Sequence, residues 1–263
     1  MEQVMKILPI TPMKKDLSND DFEKIRVGWM NSEYGDLNLI DGIECERCLN
    51  RGRIYTIDED GYLSSVSCKC MNQRKTKRRM VESGLGRLIE KCTFESYRTD
   101  DPWQESSKAI AEKYANKHEG WLFVSGQSGS GKTHICTAVC NELMKSGYSV
   151  TYKIWSDLFH EIDSAKYNYD ERYNILDELK KSDFLYIDDF LKNYKDCGKG
   201  VIAIALDVIN SRYNTGKPLI LSTELILGEI ESIDEALAGR IDEMSKGQKI
   251  QIKKEKERNL RKH

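Results

Sequence analysis

The sequence has few prolines and histidines, and it lacks any long apolar run. Four of its 263 residues are proline and four are histidine, and the histidines show neither metal-ligand nor catalytic-triad spacing. No stretch approaches the roughly 18 apolar residues that a membrane span needs, and the N-terminus lacks the apolar core of a signal peptide. We therefore expect a cytoplasmic protein with no membrane association, whose eight cysteines form no disulfides.

The net charge is also small, −2 from 41 basic and 43 acidic residues, which excludes a uniformly basic nucleic-acid coat protein. The charges are nevertheless segregated along the chain. Residues 1–44 carry five basic and nine acidic residues, whereas 69–91 and 246–263 each carry eight basic and two acidic residues. The acidic head suggests a partner-binding segment, and each basic run is either an anion-binding surface or a solvated face.

From residue 121 onward, short apolar runs alternate with segments of helical periodicity. The runs at 121–125, 148–154, 184–188 and 218–223 predict strands, and helices are predicted between them. This alternation predicts an α/β domain with a parallel sheet flanked by helices, in which ligands bind at the carboxyl ends of the strands.

A glycine-rich loop follows the first of these strands. Nine consecutive residues form the predicted nucleotide site: Gly126, Gln127, Ser128, Gly129, Ser130, Gly131, Lys132, Thr133 and His134. The first eight match G-x-x-x-x-G-K-[ST] at every position, in the strand-to-helix context that this phosphate-binding motif requires. Lys132 is predicted to reach the β- and γ-phosphates of ATP, and the Thr133 hydroxyl to ligate Mg²⁺.

Two adjacent acids end the predicted strand at 184–188. Asp188 would lie at the carboxyl end of this strand, near Thr133, where a carboxylate can hold Mg²⁺ through water. Asp189 is the next acid and could orient or deprotonate the attacking water. Because aspartate is one methylene shorter than the glutamate that many P-loop ATPases carry here, we expect slow hydrolysis of ATP.

Four cysteines predict a metal site ahead of the α/β domain. Two residues separate Cys45 from Cys48, and one residue separates Cys68 from Cys70. The chain between the two pairs can form a β-hairpin. Four thiolates suit a tetrahedral, structural Zn²⁺ with no open position. Free cysteines and an iron–sulfur cluster remain alternatives, because thiolates alone do not identify the metal.

The order of these motifs resembles the DnaC/DnaI-type helicase loaders, above all those of phages and low-GC bacteria. The loaders share an AAA+ ATPase core with the IstB-type helper ATPases of insertion sequences. The resemblance covers roughly residues 43–245. It is carried by the cysteine module, the P-loop and four short motifs: Thr93-Phe-Glu-Ser-Tyr97, Asp188-Asp189, Leu221-Ser-Thr-Glu and Ala238-Gly-Arg-Ile241.

The resemblance implies roles for further residues. Lys132, Thr133, Asp188 and Asp189 match the Walker A and Walker B positions. Arg240 matches the arginine finger that reaches the γ-phosphate of a neighbouring subunit, which implies self-association through the AAA+ domain.

Two more assignments follow less directly from the same resemblance. Thr223 is our choice for the sensor 1 residue, because Glu224 stands where relatives often carry asparagine. Arg212, at the end of a predicted helix, is another candidate interface arginine.

By the same resemblance, the protein is expected to be an ATP-dependent loader of the replicative helicase in DNA replication. Its partners would be the hexameric helicase and single-stranded DNA, and its cofactors ATP, Mg²⁺ and structural Zn²⁺. The expected organisation has four segments: a partner-binding segment at 1–44, the zinc module and basic helix at 45–91, a connector at 92–120 and the ATPase domain at 121–263.

Contacts with DNA have both basic and aromatic candidates. Lys69–Lys91 and the C-terminal tail are candidates for phosphate contacts. Tyr152, Trp155 and Tyr167 are candidates for base stacking, with ordinary packing as the alternative for each of these aromatic residues.

Three other functions remain open. The chain could be an IstB-type transposase-helper ATPase, a P-loop kinase of a small molecule, or a zinc-bearing adaptor that binds ATP without hydrolysing it. The cysteine module favours the loader over the helper. The adjacent Asp188 and Asp189 favour hydrolysis of ATP over transfer of phosphate to a substrate.

Overall fold

The computed structural model describes most of the chain, in five stretches: residues 19–81, 86–196, 200–253, 255 and 258. The chain divides after Met71 into two compact units. The sequence predicts four segments, whereas the structure divides into two units, so the boundaries of the four segments stay predictions. The first eighteen residues of the predicted partner-binding segment lie outside the described residues, as does most of the basic tail beyond residue 253.

The first unit contains two helices and a two-stranded antiparallel hairpin. Its elements are α1 (Asn19–Ser32), α2 (Leu37–Asp41), β1 (Arg53–Ile57) and β2 (Leu63–Ser67). The hairpin has the predicted position, with Arg53 opposite Ser67 and Ile57 opposite Leu63. Asn31 attaches α1 to this hairpin, because its side-chain amide donates to Tyr55 O (2.9 Å) and accepts from Tyr55 N (3.0 Å).

The second unit is an α/β domain built on a five-stranded sheet. Its strands are β3 (Trp121–Gly126), β4 (Val150–Ile154), β5 (Phe184–Asp188), β6 (Leu219–Thr223) and β7 (Lys249–Ile252). They lie in the order β4-β5-β6-β3-β7, and each neighbouring pair is parallel. The central strands β5, β6 and β3 are buried at every position, as their continuous apolar sequences predict for a covered parallel sheet.

Helices surround this sheet. In chain order they are α3 (Cys70–Met80), α4 (Gly86–Ile89), α5 (Pro102–Lys117), α6 (Lys132–Lys145), α7 (Trp155–Ser164), α8 (Tyr169–Lys181), α9 (Gly200–Tyr213), α10 (Leu227–Glu231) and α11 (Glu235–Met244). Helix α3 begins at the last two residues of the first unit.

Alternate residues of each strand point to opposite faces of the sheet, so the core has two halves. On β3, Leu122 and Val124 pack with α5 and α6 residues such as Tyr114 and Ile135. Trp121 and Phe123 of the same strand belong to the other half, with side chains of α7, α8, α9 and α11. The prediction of an α/β domain with a helix-flanked parallel sheet is therefore confirmed.

Among the described residues, no helix combines the length and the apolar content that crossing a membrane requires.

Candidate functional site

The phosphate-binding loop connects the end of β3 to the start of α6. Gly126, Gly129 and Gly131 all have positive φ angles, of +149°, +81° and +84°. Gly131 is the N-cap of α6, so the amides of the loop and of the first helical turn converge at its N-terminal end. A side chain on Gly126 would meet the carbonyl of Ile252 at 2.7 Å, which explains why this position requires glycine.

Lys132 is buried beneath this loop. Its ammonium group donates to the carbonyls of Gly126 and Gln127, both at 2.9 Å. Desolvation lowers its pKa, although the nearby carboxylates of Glu224, Asp189 and Asp188 oppose that shift. The lysine is thus held at the base of the loop, within the cavity that a polyphosphate would enter.

The predicted magnesium ligands lie together at the carboxyl ends of the strands. The Thr133 hydroxyl donates to the Asp188 carboxylate, with 3.2 Å between Oγ1 and Oδ2. Ser222, at the end of β6, donates to the other oxygen of Asp188. A threonine hydroxyl and a carboxylate are hard oxygen ligands, and their proximity beside the phosphate loop fits Mg²⁺.

Asp189 follows in a strained turn. Its φ angle is +54°, and its backbone N–H donates to the Ser222 hydroxyl at 3.0 Å. Its carboxylate accepts from the Lys192 ammonium group at 2.6 Å. Left-handed backbone in a non-glycine residue carries a conformational cost, and it is characteristic of positions whose geometry is fixed by their surroundings.

These residues surround an open cavity of about 540 Å³. Part of its lining is the phosphate loop together with Asp189, Lys192 and Glu224. The rest comes from α4 and the predicted connector, which contribute Leu88, Cys92, Ser96, Tyr97 and Arg98. The connector therefore takes part in forming the cavity beside the phosphate loop.

His134, next to Thr133 on α6, contacts the connector. Its Nε2 lies 3.2 Å from both Ser96 Oγ and Thr93 O, and its ring makes an edge contact with the ring of Tyr97. Desolvation lowers its pKa, so the neutral imidazole is favoured. Thr93–Tyr97 is identified from the sequence as a family motif, but with no role assigned to it in the nucleotide site. The contacts with His134 show that this motif packs beside the phosphate loop.

The residues at the end of β6 occupy different environments. The Thr223 hydroxyl is buried and donates to Phe190 O at 2.7 Å, and Thr223 does not line the nucleotide cavity. Glu224 is the residue of this strand end that lines it. The sensor 1 role of Thr223 stays a prediction. The Thr223 hydroxyl donates to a backbone carbonyl, that of Phe190.

Arg240 lies on α11, outside the nucleotide cavity of its own chain. Its guanidinium group donates to Ala236 O at 2.9 Å and lies 5.5 Å from the ring centroid of Tyr213. The Tyr213 hydroxyl in turn donates to Glu243 at 2.8 Å. The structure thus separates Arg240 from Lys132, Thr133, Asp188 and Asp189, which it brings together.

Arg212 is not an interface arginine, contrary to the interpretation of the sequence. Its side chain is fully buried, and it donates five hydrogen bonds of 2.6–3.2 Å to four backbone carbonyls, those of Leu179, Ser182, Asp183 and Pro218. Burial lowers the pKa of the guanidinium group to about 10. Arg212 therefore holds the end of α8 and the starts of β5 and β6 in place.

Two of the three aromatic candidates for base stacking are also buried. Trp155 is fully buried beside Phe159 and Phe190, and the Tyr152 ring packs beside Tyr186. The packing alternative therefore holds for both. Tyr167 is 93% exposed.

The four predicted metal ligands meet in the first unit. The sulfurs of Cys45, Cys48, Cys68 and Cys70 all lie within 4.8 Å of one another, with 3.5 Å between Cys48 and Cys70 and 3.9 Å between Cys45 and Cys68. Four thiolates at about 2.3 Å from a zinc ion are about 3.8 Å apart in a tetrahedron. The donor set and its spacing therefore fit Zn²⁺.

The environment favours the thiolate at Cys48, whereas burial raises the pKa of Cys68. Burial opposes ionisation of Cys48, but the N–H of Gly52 donates to its sulfur at 3.3 Å, and the neighbouring thiols add further hydrogen bonds. Together these interactions lower the pKa of Cys48 to about 7. Thiolates are the form that binds metal.

Comparison with known sequences identifies relatives across most of the chain. A family model described as "IstB-like ATP binding protein" matches residues 60–263. Two proteins of Bacillus subtilis are each 30% identical. The uncharacterised protein YqaM matches over 82% of this chain and 73% of its own length. The phage-like element PBSX protein XkdC matches over 80% of this chain and 82% of its own length.

The replicative helicase loader DnaC of Escherichia coli is 29% identical over 50% of this chain and 56% of its own length. The chain therefore aligns with little more than half of DnaC.

Solved structures show the same fold at low sequence identity. The AMPPCP-bound structure of DnaA from Aquifex aeolicus gives a TM-score of 0.53 at 20% identity, over 65% of this chain and 52% of that one. A crystal structure of the DnaC helicase loader gives a TM-score of 0.51 at 19% identity, over 61% and 96%.

The described α/β domain thus has the fold of the DnaC and DnaA AAA+ domains, with a complete phosphate-binding loop. With the family match extending over residues 60–263, this chain belongs to the IstB-like ATP-binding protein family.

Proposed function

We propose that the protein is an ATP-dependent loader of a hexameric replicative DNA helicase and acts in the cytoplasm. The observation that carries the proposal is the assembled site, in which Lys132, Thr133, Asp188 and Asp189 converge beneath the phosphate loop. Similarity to a replicative helicase loader adds the biological context.

The side chains have distinct roles in the proposed ATP hydrolysis. Lys132 and the loop amides neutralise the phosphate oxygens, and Thr133 and Asp188 would hold Mg²⁺, which neutralises charge developing on the β- and γ-oxygens. Asp189 orients the attacking water and accepts its proton. Arg240 would complete the site of a neighbouring copy, so ATP turnover depends on self-association.

The first unit offers a surface for the helicase. Phe22, Ile25 and Trp29 follow one another at helical spacing along α1 and are 48%, 59% and 66% exposed. Exposed apolar side chains at this spacing are typical of a helix that docks on another protein. We assign the helicase contact to this face of α1.

Single-stranded DNA is the second proposed partner. Tyr167, Tyr169 and Tyr173 are exposed, and the rings of Tyr169 and Tyr173 stack with 6.5 Å between their centroids. The basic helix α3 supplies further exposed cations at Lys75, Arg78 and Arg79. Aromatic side chains stack with bases and cations contact phosphates, largely without regard to sequence.

Mass photometry with the replicative helicase of the host organism tests this proposal. With a non-hydrolysable ATP analogue and Mg²⁺, the full chain is expected to form a discrete complex of one helicase hexamer with several copies, and a single-stranded oligonucleotide is expected to join it. Trp29→Ala is expected to reduce complex formation, because it removes the most exposed apolar side chain of the α1 face.

Tyr62→Ala is the matched control. Tyr62 is an equally exposed aromatic residue at the hairpin turn of the same unit, 72% exposed, and lies outside α1. Absence of any complex in ATP analogue or in ADP would contradict the loader function.

The IstB-type transposase helper is the second candidate, favoured by the family match itself. That match begins at residue 60, so Cys45 and Cys48 lie outside it, whereas Cys68 and Cys70 lie inside. A complex with a transposase on DNA, formed in place of the helicase complex, would favour the helper.

A further inference from the structure

The nucleotide cavity is lined by carboxylates as well as by cations close to the phosphate loop. Three carboxylates, those of Asp188, Asp189 and Glu224, act electrostatically on Lys132. All three carboxylates repel phosphate, and Lys132 together with a Mg²⁺ ion held by Thr133 and Asp188 would offset that repulsion. A second cationic side chain close to the phosphate position would add to this compensation.

Lys192 is such a cation. It lines the same cavity, and the same three carboxylates act on it. Its ammonium group is 2.6 Å from Asp189 Oδ2, and its side chain is 45% exposed. Arg98, the remaining cationic side chain of the cavity lining, pairs with Asp100 at 3.7 Å.

The backbone beneath Lys192 is well fixed. Phe190 and Leu191 are buried, Phe190 N donates to Ser222 O at 2.8 Å, and Lys192 N donates to Asp189 O at 2.9 Å. The left-handed φ angles of Asp189 and Leu191, +54° and +58°, turn the chain so that Lys192 faces the cavity. A flexible ammonium-bearing side chain therefore stands on a rigid turn beside the phosphate loop.

We propose that Lys192 is a second lysine for the terminal phosphate of ATP, held on Asp189 while that phosphate is absent. The proposal rests on the nucleotide site proposed above. A bound γ-phosphate competes with Asp189 for the ammonium group, since it carries more negative charge than one carboxylate. Movement of Lys192 to the phosphate releases the Asp189 carboxylate, which then can orient the attacking water.

ADP lacks the γ-phosphate, so it leaves the pair between Lys192 and Asp189 in place. The preference of the protein for ATP over ADP is therefore the property that Lys192 controls. A lysine with only a structural role would change the two affinities together.

The test compares dissociation constants for ADP and for a non-hydrolysable ATP analogue, measured on the full chain with Mg²⁺ by competition against a fluorescent nucleotide. Lys192→Ala is expected to reduce the preference for the analogue by about tenfold, the effect of losing one charge-assisted hydrogen bond. ADP affinity is expected to change less than about twofold, and Lys192→Arg is expected to retain the preference.

Lys195→Ala is the matched control, because Lys195 is an exposed lysine of the same segment that packs on Tyr194 and does not line the nucleotide cavity. Asp189→Asn is expected to raise the preference for the analogue, since it removes the competing partner of Lys192.

An unchanged ratio in Lys192→Ala would overturn the role of Lys192, and an unchanged ratio in Asp189→Asn would overturn the pairing. Both results leave the nucleotide site intact. A parent protein that binds neither nucleotide would instead overturn the proposed function, and the inference with it.

Discussion

At the residue scale, the two arginines singled out in the sequence have opposite environments. Arg212 lies in α9 and Arg240 in α11, and both matched plausible interface positions. Burial separates them: Arg212 is fully enclosed by carbonyl groups, whereas Arg240 is half-buried against the ring of Tyr213. Sequence could not make this distinction, because it depends on which carbonyls the folded chain brings together.

Arg212→Met is expected to destabilise the second unit by about 3 kcal/mol or more. The substitution removes the guanidinium hydrogen bonds to four carbonyl groups, of which those to Leu179 O and Ser182 O are buried, and each unsatisfied buried polar group costs about 1–3 kcal/mol. Thermal unfolding followed by circular dichroism measures the effect.

Arg172→Met is the control for that substitution. Arg172 forms a 2.6 Å ion pair with Asp207 at the surface, and such pairs contribute about 0–1 kcal/mol. Equal melting temperatures for the two variants would contradict the structural role of Arg212.

The residues of the phosphate site were predictable for a different reason. The glycines at 126, 129 and 131 and the adjacent lysine form a contiguous motif, so their spacing in sequence already fixes their spacing in space. Lys192 and Tyr97 reach the same cavity through tertiary structure, from segments with no motif for this role.

At the element scale, periodicity predicted the long elements of the second unit well. The apolar run at 249–252 forms strand β7. Helical periodicity around 157–165, 171–181, 199–214 and 234–244 predicts four helices, and α7, α8, α9 and α11 begin within two residues of these positions. The five-residue helix α10 (Leu227–Glu231) was missed, because one turn carries too little periodicity to be recognised. The sequence at 71–91 predicts a basic helix broken by Gly84 and Gly86; the structure has α3 ending at Met80 and α4 beginning at Gly86, and residues 82–85 lie outside the described residues.

The four-cysteine site flanks the hairpin of β1 and β2. Cys45→Ser is expected to abolish binding of one zinc ion per chain and to increase hydrogen exchange across β1 and β2, because the metal closes a unit with little apolar core of its own. Elemental analysis of the purified protein and exchange mass spectrometry measure the two effects.

Cys92→Ser serves as the control, since Cys92 is buried elsewhere and belongs to no cysteine cluster of the described residues. A parent protein that carries no metal and yet shows slow exchange in the hairpin would refute the zinc site.

At the scale of the whole molecule, the separation of Arg240 from its own nucleotide cavity matters most. If Arg240 acts on a neighbouring copy, two defective variants should complement each other. Lys132→Ala cannot bind ATP but still carries the arginine, and Arg240→Ala binds ATP but lacks the arginine.

An equimolar mixture of these two variants is therefore expected to hydrolyse ATP faster than either alone, measured by phosphate release in the presence of single-stranded DNA. Up to about a quarter of parental turnover is expected when subunits pair at random. A mixture of Arg240→Ala with the double variant Lys132→Ala, Arg240→Ala is the control, because no subunit in it carries the arginine and no gain is expected. Turnover equal to the sum of the separate variants would exclude action between subunits.

The position of β7 has a consequence for how the molecule is made. Gly126, which begins the phosphate loop, packs against Ile252 near the other end of the domain sequence, and β3 has β7 as one of its two neighbours. During synthesis the phosphate loop leaves the ribosome long before β7, the strand that supports it. A nascent chain therefore contains the loop sequence before the loop can adopt its folded conformation. Pairings between such distant segments form slowly. Nucleotide therefore stabilises the finished domain by mass action and offers little assistance to the growing chain.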